Sequence, residues 1–452
     1  MKIMKKVFIS AILLAICIAP LLSLPNNEYV VPLCRNFTKE LFEPNAEPFL
    51  SPTLSVVNAT TNSGFYHSAY VPAKVDKPYF RITLNLFYGP ISNSMKTFSP
   101  TIPSKEFNMM DALRFGEYTS GGIIRIKDTV ALLNYMFLNL IDMGMKDGSI
   151  QFPKESATLL GNEGAVLYVQ DSVLQMLLHK HPLYPLLPND AKQLLDSLLD
   201  INSSGRGFLG FTLPEGGRLN SILAGVPQLE IGSLFGTELL VRFIPKINFG
   251  EYIGDFSFWG VGLKHSISQY FYEDKNRDGN NRNKDNVAPF DLSVQAVYQR
   301  TSLVNANKIK VIRKDGLSTA IENITQSVLS SNANIYCFNV NASKQITNWL
   351  EFYTGLSYEL LNIDGKYEYY LPISLQYQIG LVDYNLENDI NTIEAPEYPG
   401  DQDPQTTNIS LSQSQFKFTF GAAATLGRRV TLFLDYSITN FPVLSTGLQV
   451  RF

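Results

Sequence analysis

One polar stretch, residues 273–288, carries oxygen ligands at alternating places. Asp274, Asn276, Asp278 and Asn280 are two residues apart, Gly279 follows Asp278, and Asp285 stands at the twelfth position counted from Asp274. This is the spacing of a calcium loop, in which alternate oxygens converge, the glycine permits a sharp turn and a carboxylate closes the site. Three features favour the other reading, a solvated Asn/Asp-rich hairpin loop: Asp285 replaces a bidentate glutamate, Arg282 sits near the ninth place, and the flanks read as strands. Calcium is the only cofactor the sequence suggests, with Asp274, Asn276, Asp278, Asn280 and Asp285 as its candidate ligands.

The four histidines offer less. His179 and His181 are two apart and so do not share a helix face, and no second pair completes a zinc site. His67–Ser68 and His265–Ser266 are adjacent pairs, which on a strand point to opposite sides and cannot form a base–nucleophile dyad. No Gly-x-Ser-x-Gly and no phosphate-binding loop occurs. The chain is not expected to be an enzyme.

Positioning elements follow from composition and period. Charged residues make up 17% and aromatics 12% of the chain, with 29 Phe and 23 Tyr against 2 Trp. Such a balance suits a protein wet on one surface and greasy on the other. Lys2, Lys5 and Lys6 precede the apolar run Val7–Leu22, so Met1–Leu24 reads as a secretory signal cleaved after Ser23. Without it the net charge moves from −4 to −7, with 34 basic against 41 acidic residues, which excludes a nucleic-acid partner. Cys17 lacks the small neighbour of a lipoprotein signal, and Cys34 and Cys337, far apart in sequence, permit a disulfide without implying one. No later apolar stretch approaches the ~20 residues of a membrane helix. A closed barrel is then the remaining way to cross a membrane.

Strands of that kind are visible. Tyr79–Tyr88 alternates Phe80, Ile82, Leu84, Leu86 and Tyr88 against Arg81, Thr83 and Asn85. Thr237–Ile244, Asp255–Tyr270, Phe290–Arg300, Ile335–Ser343, Trp349–Leu360, Gln415–Leu426, Val430–Ile438 and Leu444–Phe452 also read as strands, most of them with the same period. Long polar loops are expected at Glu273–Ala288, Ala306–Ser331 and Asn385–Ser412. Four prolines make Asn26–Ser51 read as irregular, with at most a short helix over Asn36–Phe42. Thr129–Met143, Asp171–Leu178 and Asp190–Ile201 switch to helical spacing. The fold class is therefore all-β with a helical insert: a transmembrane antiparallel β-barrel of about 14 strands, roughly 12–16. It spans residues 24–452, and Thr129–Ile201 plugs the lumen, covers a mouth or stands apart as a subdomain. Arg81, Glu238, Arg242, Glu351, Glu359, Lys417 and Asp435 fall on polar strand faces and are candidate lumen groups. Phe452, ending the closing strand, is the expected handle for the barrel assembly machinery.

The block Pro227–Ser293 reads Pro227-Gln228, Gly232, Gly236-Thr237-Glu238, Arg242, Pro245-Lys246, Gly254-Asp255, Trp259-Gly260, Gly262, Lys264-His265-Ser266-Ile267 and Pro289-Phe290-Asp291-Leu292-Ser293. With Asn62-Ser63-Gly64-Phe65-Tyr66 it resembles a family of uncharacterised outer-membrane proteins, a domain of unknown function of Bacteroidetes-type bacteria. The chain departs from that family at Phe65, where a Trp is usual, and in the longer, more acidic loop 273–288. The resemblance implies a barrel in the outer membrane of a Gram-negative bacterium and no known activity. In layout alone the chain is similar to long-chain fatty acid transporters. The expected function is passive transport of a hydrophobic or amphipathic small molecule, with outer-membrane lipid and that ligand as partners. The alternative is a non-transporting surface barrel that serves as an adhesion or complex-forming module.

Overall fold

The structure is a computed structural model. It describes residues 30–73, 75, 77–119, 122–189, 191–192, 195, 207–250, 254–271, 277–278, 281–282, 289–315, 320–371, 401–427 and 429–452.

Ten antiparallel strands close into a barrel. They are β1 (Tyr79–Pro90), β2 (Ser221–Leu234), β3 (Thr237–Asn248), β4 (Asp255–Ser266), β5 (Asp291–Asp315), β6 (Ala320–Gln345), β7 (Leu350–Tyr369), β8 (Gln405–Leu426), β9 (Val430–Ile438) and β10 (Val443–Arg451). Each pairs with the next in sequence except across the seam, where β1 lies between β2 and β10. At the seam Leu84 stands opposite Leu448, and the Phe452 amide donates to the Phe80 carbonyl at 2.9 Å.

The strand count is lower than the expected 14 because β5 and β6 are 25 and 26 residues long. They run straight through most of Ala306–Ser331, paired from Asp291↔Ser343 to Lys314↔Ala320, so that stretch is not a loop. Its polar sequence hid the pairing, because a strand that leaves the apolar layer loses the hydrophobic alternation that marks it. Strand β8 likewise begins at Gln405, inside the expected loop Asn385–Ser412; residues 385–400 of that loop lie outside the described ones.

The barrel is polar inside and apolar outside. On β1 the outward Ile82 and Leu84 are 52% and 49% exposed, while the inward Thr83 and Asn85 are fully buried. The same holds around the wall, where Phe338, Phe352, Phe418 and Leu434 face out and Asn339, Ser357, Lys417 and Asp435 face in. A barrel in water would do the reverse, so this wall is built to meet lipid. Short turns at Phe235–Gly236, 346–349 and 427–429 mark one end, with Phe452; this is the turn end. The opposite, loop end carries the 91–220 connection between β1 and β2 and the 370–404 connection between β7 and β8. The stretch 273–288 joins β4 to β5 at the turn end, away from the other long connections.

Residues 30–61 are not irregular. Val30–Thr61 is one helix, α1, despite Pro44, Pro48 and Pro52 within it. Each interior proline costs ~3 kcal/mol. Burial outweighs this: Phe37, Leu41, Phe42, Phe49, Leu50 and Leu54 pack against Leu329, Ile335, Leu361, Tyr367, Tyr369 and Leu411 of the wall, at about 1.5–3 kcal/mol for each large side chain buried.

The insert sits at the loop end and is mostly helical, with one strand, Val166–Gln170, that joins the barrel sheet through Gly207–Thr212 and the tip of β5. Helix α2 (Thr129–Asp147) starts on Asp128, whose side chain accepts from the Ala131 amide, and ends at Gly148 with φ +78°. Its Leu132, Met136 and Leu140 pack on Leu174, Leu177 and Leu178 of α3 (Asp171–Lys180). The helix expected at Asp190–Ile201 lies almost wholly outside the described residues. His181 is buried beside this core. Its Nδ1 accepts from the Leu183 amide at 3.2 Å and its Nε2 meets the Asn139 amide oxygen at 3.1 Å, while the Asn139 amide nitrogen donates to the Lys105 carbonyl. A second ring proton would face the Leu183 N–H, and burial itself pushes the imidazole down to about 4.

Two outcomes follow. Because the folded state holds His181 neutral, protons bind the unfolded insert preferentially between its ordinary value of 6.5 and about 4. Insert stability is therefore full above pH 6.5 and falls as pH drops through that window. His181→Gln should flatten this profile in a urea titration followed by tryptic release of the insert. In the wall, Leu84→Arg, at the middle of β1 on its outward face, should cost about 2–4 kcal/mol of insertion stability. Refolding into lipid vesicles at different urea concentrations measures this, and an unchanged midpoint would contradict the outward assignment.

Candidate functional site

The lumen is filled by the chain's own N-terminal segment. Helix α1 descends from the loop end and stops at Thr61. The chain then turns through Asn62, Ser63 and Gly64 (φ +66°) and runs to the turn end, where β1 begins at Tyr79. Gly64 is required twice over. Its φ suits glycine, and a Cβ there would lie 2.8 Å from the Asn85 Oδ1 and 3.0 Å from the Phe87 ring.

Arg242, from β3, holds the helix end. It is buried, and three nitrogens donate at 2.8 Å each: Nε to Gln228 Oε1, Nη1 to the Thr61 carbonyl and Nη2 to the Ser63 carbonyl. Its guanidinium also lies 4.1 Å from the Phe65 ring centre. The last carbonyls of a helix lack partners and carry partial negative charge, so a cation is the group they take best. Lys417 on β8 does the same for the Asn62 carbonyl, and pairs with Glu359. Gln299 donates to Asn62 Oδ1, and Gln228 to the Phe65 carbonyl.

Towards the turn end lies an ionic cluster. Arg81 bridges Glu230 at 3.0 Å and Glu238 at 2.9 Å, Lys264 pairs with Glu238 at 2.7 Å, and the Tyr79 hydroxyl donates to Glu238 at 2.6 Å. The plug is tied to this level too. Ser68 donates to Glu351, and the Ala69 amide donates to Ser343 Oγ. His67 is buried with its ring stacked on Phe433. Higher up, where α1, the wall and the β1–β2 connection meet, a narrow apolar crevice is lined by Phe42, Phe49, Phe98, Leu213, Tyr367 and Tyr369.

All seven expected lumen groups, Arg81, Glu238, Arg242, Glu351, Glu359, Lys417 and Asp435, project inward; Asp435 accepts from the Tyr353 hydroxyl at 2.9 Å. Sequence reading missed Glu230, which alternates with Leu229 and Ile231 and could have been found from that period. It also missed the plug, whose prolines concealed its helix. The histidines are dispersed: His181 in the insert, His67 in the plug, His265 near Thr237 and Tyr270 at the turn end. Among the described residues no group of three His, Cys, Asp or Glu side chains could hold a metal. Of the calcium-loop candidates, Asp274, Asn276, Asn280 and Asp285 lie outside the described residues. Asp278 pairs with Asn281 in a two-residue hairpin.

A model of a family of unknown function, DUF6588, matches residues 4–452. No curated protein matches the chain. Among solved structures, the outer membrane protease OmpT from Escherichia coli is similar at 8% identity over 85% of this chain and 99% of that one, with a TM-score of 0.27. The translocator domain of the autotransporter NalP from Neisseria meningitidis is similar at 7% identity over 91% and 98%, TM-score 0.21. The CymD monoaromatic hydrocarbon channel is similar at 7% identity over 84% and 89%, TM-score 0.23. Likenesses this distant carry no weight for function.

The plug turn makes a sharp prediction. Gly64→Ala must shift either Asn85 or the turn, and should release the helix end while leaving the wall intact. Limited proteolysis of the folded protein should then cut within residues 55–70, where the wild type resists. Equal resistance would mean that the turn does not depend on Gly64.

Proposed function

The chain belongs to this family of unknown function, and from its geometry we propose that it is a plugged outer-membrane barrel of a Gram-negative bacterium that passes hydrophobic or amphipathic small molecules. One observation carries the reading: the loop-end half of the lumen is apolar. Leu329, Ile335, Leu361, Tyr367, Tyr369, Ile409 and Leu411 point inward there, and α1 rather than water covers them. A pore for polar solutes needs a polar lining throughout, since transferring such solutes past apolar walls costs their hydration. An apolar lining occupied by a helix held through packing favours greasy cargo, which can take the place of side chains of the same character. The packing of Phe42 on Tyr369, whose rings stack at 4.5 Å, is the contact this reading has the cargo displace.

The test is uptake of a hydrophobic fluorophore by intact cells whose outer leaflet excludes it. Expression should raise the rate over vector alone. A reducible cross-link between Phe42→Cys and Tyr369→Cys should abolish the gain until reductant is added. Rates equal to vector in folded, surface-assembled protein would overturn the reading. Calcium ligation by Asp274, Asn276, Asp278, Asn280 and Asp285 is a separate proposal, supported by their spacing. Titration calorimetry should show heat at about 0.1–1 mM calcium, the range of extracellular sites, and no heat there removes it.

A further inference from the structure

We infer that the plug segment is threaded outward through the barrel, so that the Val30 end of α1 stands at the loop end, on the opposite face from Phe452. Three sets of contacts fix the direction. At the turn end, Ser68 and Ala69 meet Glu351 and Ser343, and the Pro72 carbonyl accepts from Ser233. Midway, Thr61, Asn62 and Ser63 meet Arg242 and Lys417. At the loop end, α1 is bound by groups that lie beyond the wall. Arg35 pairs with Asp401 at 2.7 Å in the β7–β8 connection, and Asn134 of the insert donates to Glu40 at 3.0 Å. The Asn45 amide both accepts from and donates to the Thr101 backbone at 2.7 Å, and the Leu159 amide donates to the Phe49 carbonyl at 2.9 Å. Sequence order along this path is monotonic, so Val30 is the outermost point of the segment and Tyr79 the innermost.

Length agrees. A helix of 32 residues spans about 48 Å at 1.5 Å per residue, more than the ~30 Å hydrocarbon core. Starting mid-lumen at Thr61, it must extend past the hydrocarbon layer on the loop-end side, alongside the long strands β5 and β6. In an outer membrane the short turns and the last strand's end face the periplasm and the longer connections face outward, so the first turns of α1 face the cell exterior. Complete withdrawal of α1, beyond release of its inner end at Arg242, also requires release of contacts on the outer side, because its upper half is held by the insert and by Asp401. A pull from the periplasm would draw α1 against them.

Cysteine accessibility in intact cells tests this with the full chain. Cys34→Ser removes the other thiol on α1, and Cys337 is buried. In that background Asn36→Cys, on an exposed position of α1, should react with a membrane-impermeant maleimide in intact cells. Asn348→Cys, in the exposed β6–β7 turn, should react only after permeabilisation. Heat-dependent gel mobility certifies the barrel in each variant, and Lys39→Cys, also exposed, replaces Asn36→Cys if that variant fails to assemble. Protection of the α1 position in intact cells, or labelling of Asn348→Cys there, would overturn the inference.

Discussion

The structure depends on one buried guanidinium. Arg242 is withdrawn from water, and among the described residues no carboxylate pairs with it. Its hydrogen bonds go to an amide side chain, to the carbonyl of Thr61 at the end of α1 and to that of Ser63 in the turn after it. Burying a cation costs several kcal/mol unless its donors are met. Here they are met only while the helix end stays where it is. The dependence runs both ways: without Arg242, the Thr61 and Ser63 carbonyls would be orphans in a closed lumen, at about 1–3 kcal/mol each. Wall and plug therefore stabilise one another, and the turn at Gly64, the stacking of Phe65 and the approach of Lys417 all follow from that contact.

Around it the lumen divides into two tiers with different physics. The turn-end tier is ionic and directional: Arg81, Glu230, Glu238, Lys264 and Tyr79 form a satisfied network whose geometry tolerates little displacement. Above it, packing is apolar and non-directional, with Phe42, Phe49 and Leu54 of the plug against Tyr369, Ile409 and Leu411. Apolar surfaces exchange partners of similar shape at small cost, whereas a buried charged network does not. The lower tier locks the segment, and the upper tier is where a greasy molecule could compete for space.

How much of this the sequence revealed depends on which group carries each interaction. Nine of the ten wall strands were legible because lipid on one side and a polar lumen on the other impose a period of two, as in Phe80–Tyr88 and Phe416–Phe420; β2, whose first half lies in the glycine-rich stretch up to Pro227, was not. The inward charges were legible for the same reason. Their targets were not, because Arg242 and Lys417 bind backbone carbonyls, which every residue owns and no sequence marks. Helix α1 was misread because Pro44, Pro48 and Pro52 argue against a helix locally, while the burial that outweighs them comes from strands some 270 residues or more away. The two stretches that carry the family resemblance, Asn62–Tyr66 and Pro227–Ser293, meet in space: Gln228, Arg242 and Lys264 all bind the plug between Thr61 and Ser68.

The central claim is that this helix-end contact keeps the barrel shut. Single-channel recording in planar bilayers addresses it directly. Wild-type protein should give no resolvable conductance steps, and Arg242→Met, with its barrel shown intact by heat-dependent gel mobility, should give frequent openings of porin-like size. An Arg242→Met barrel as silent as the wild type would contradict the account.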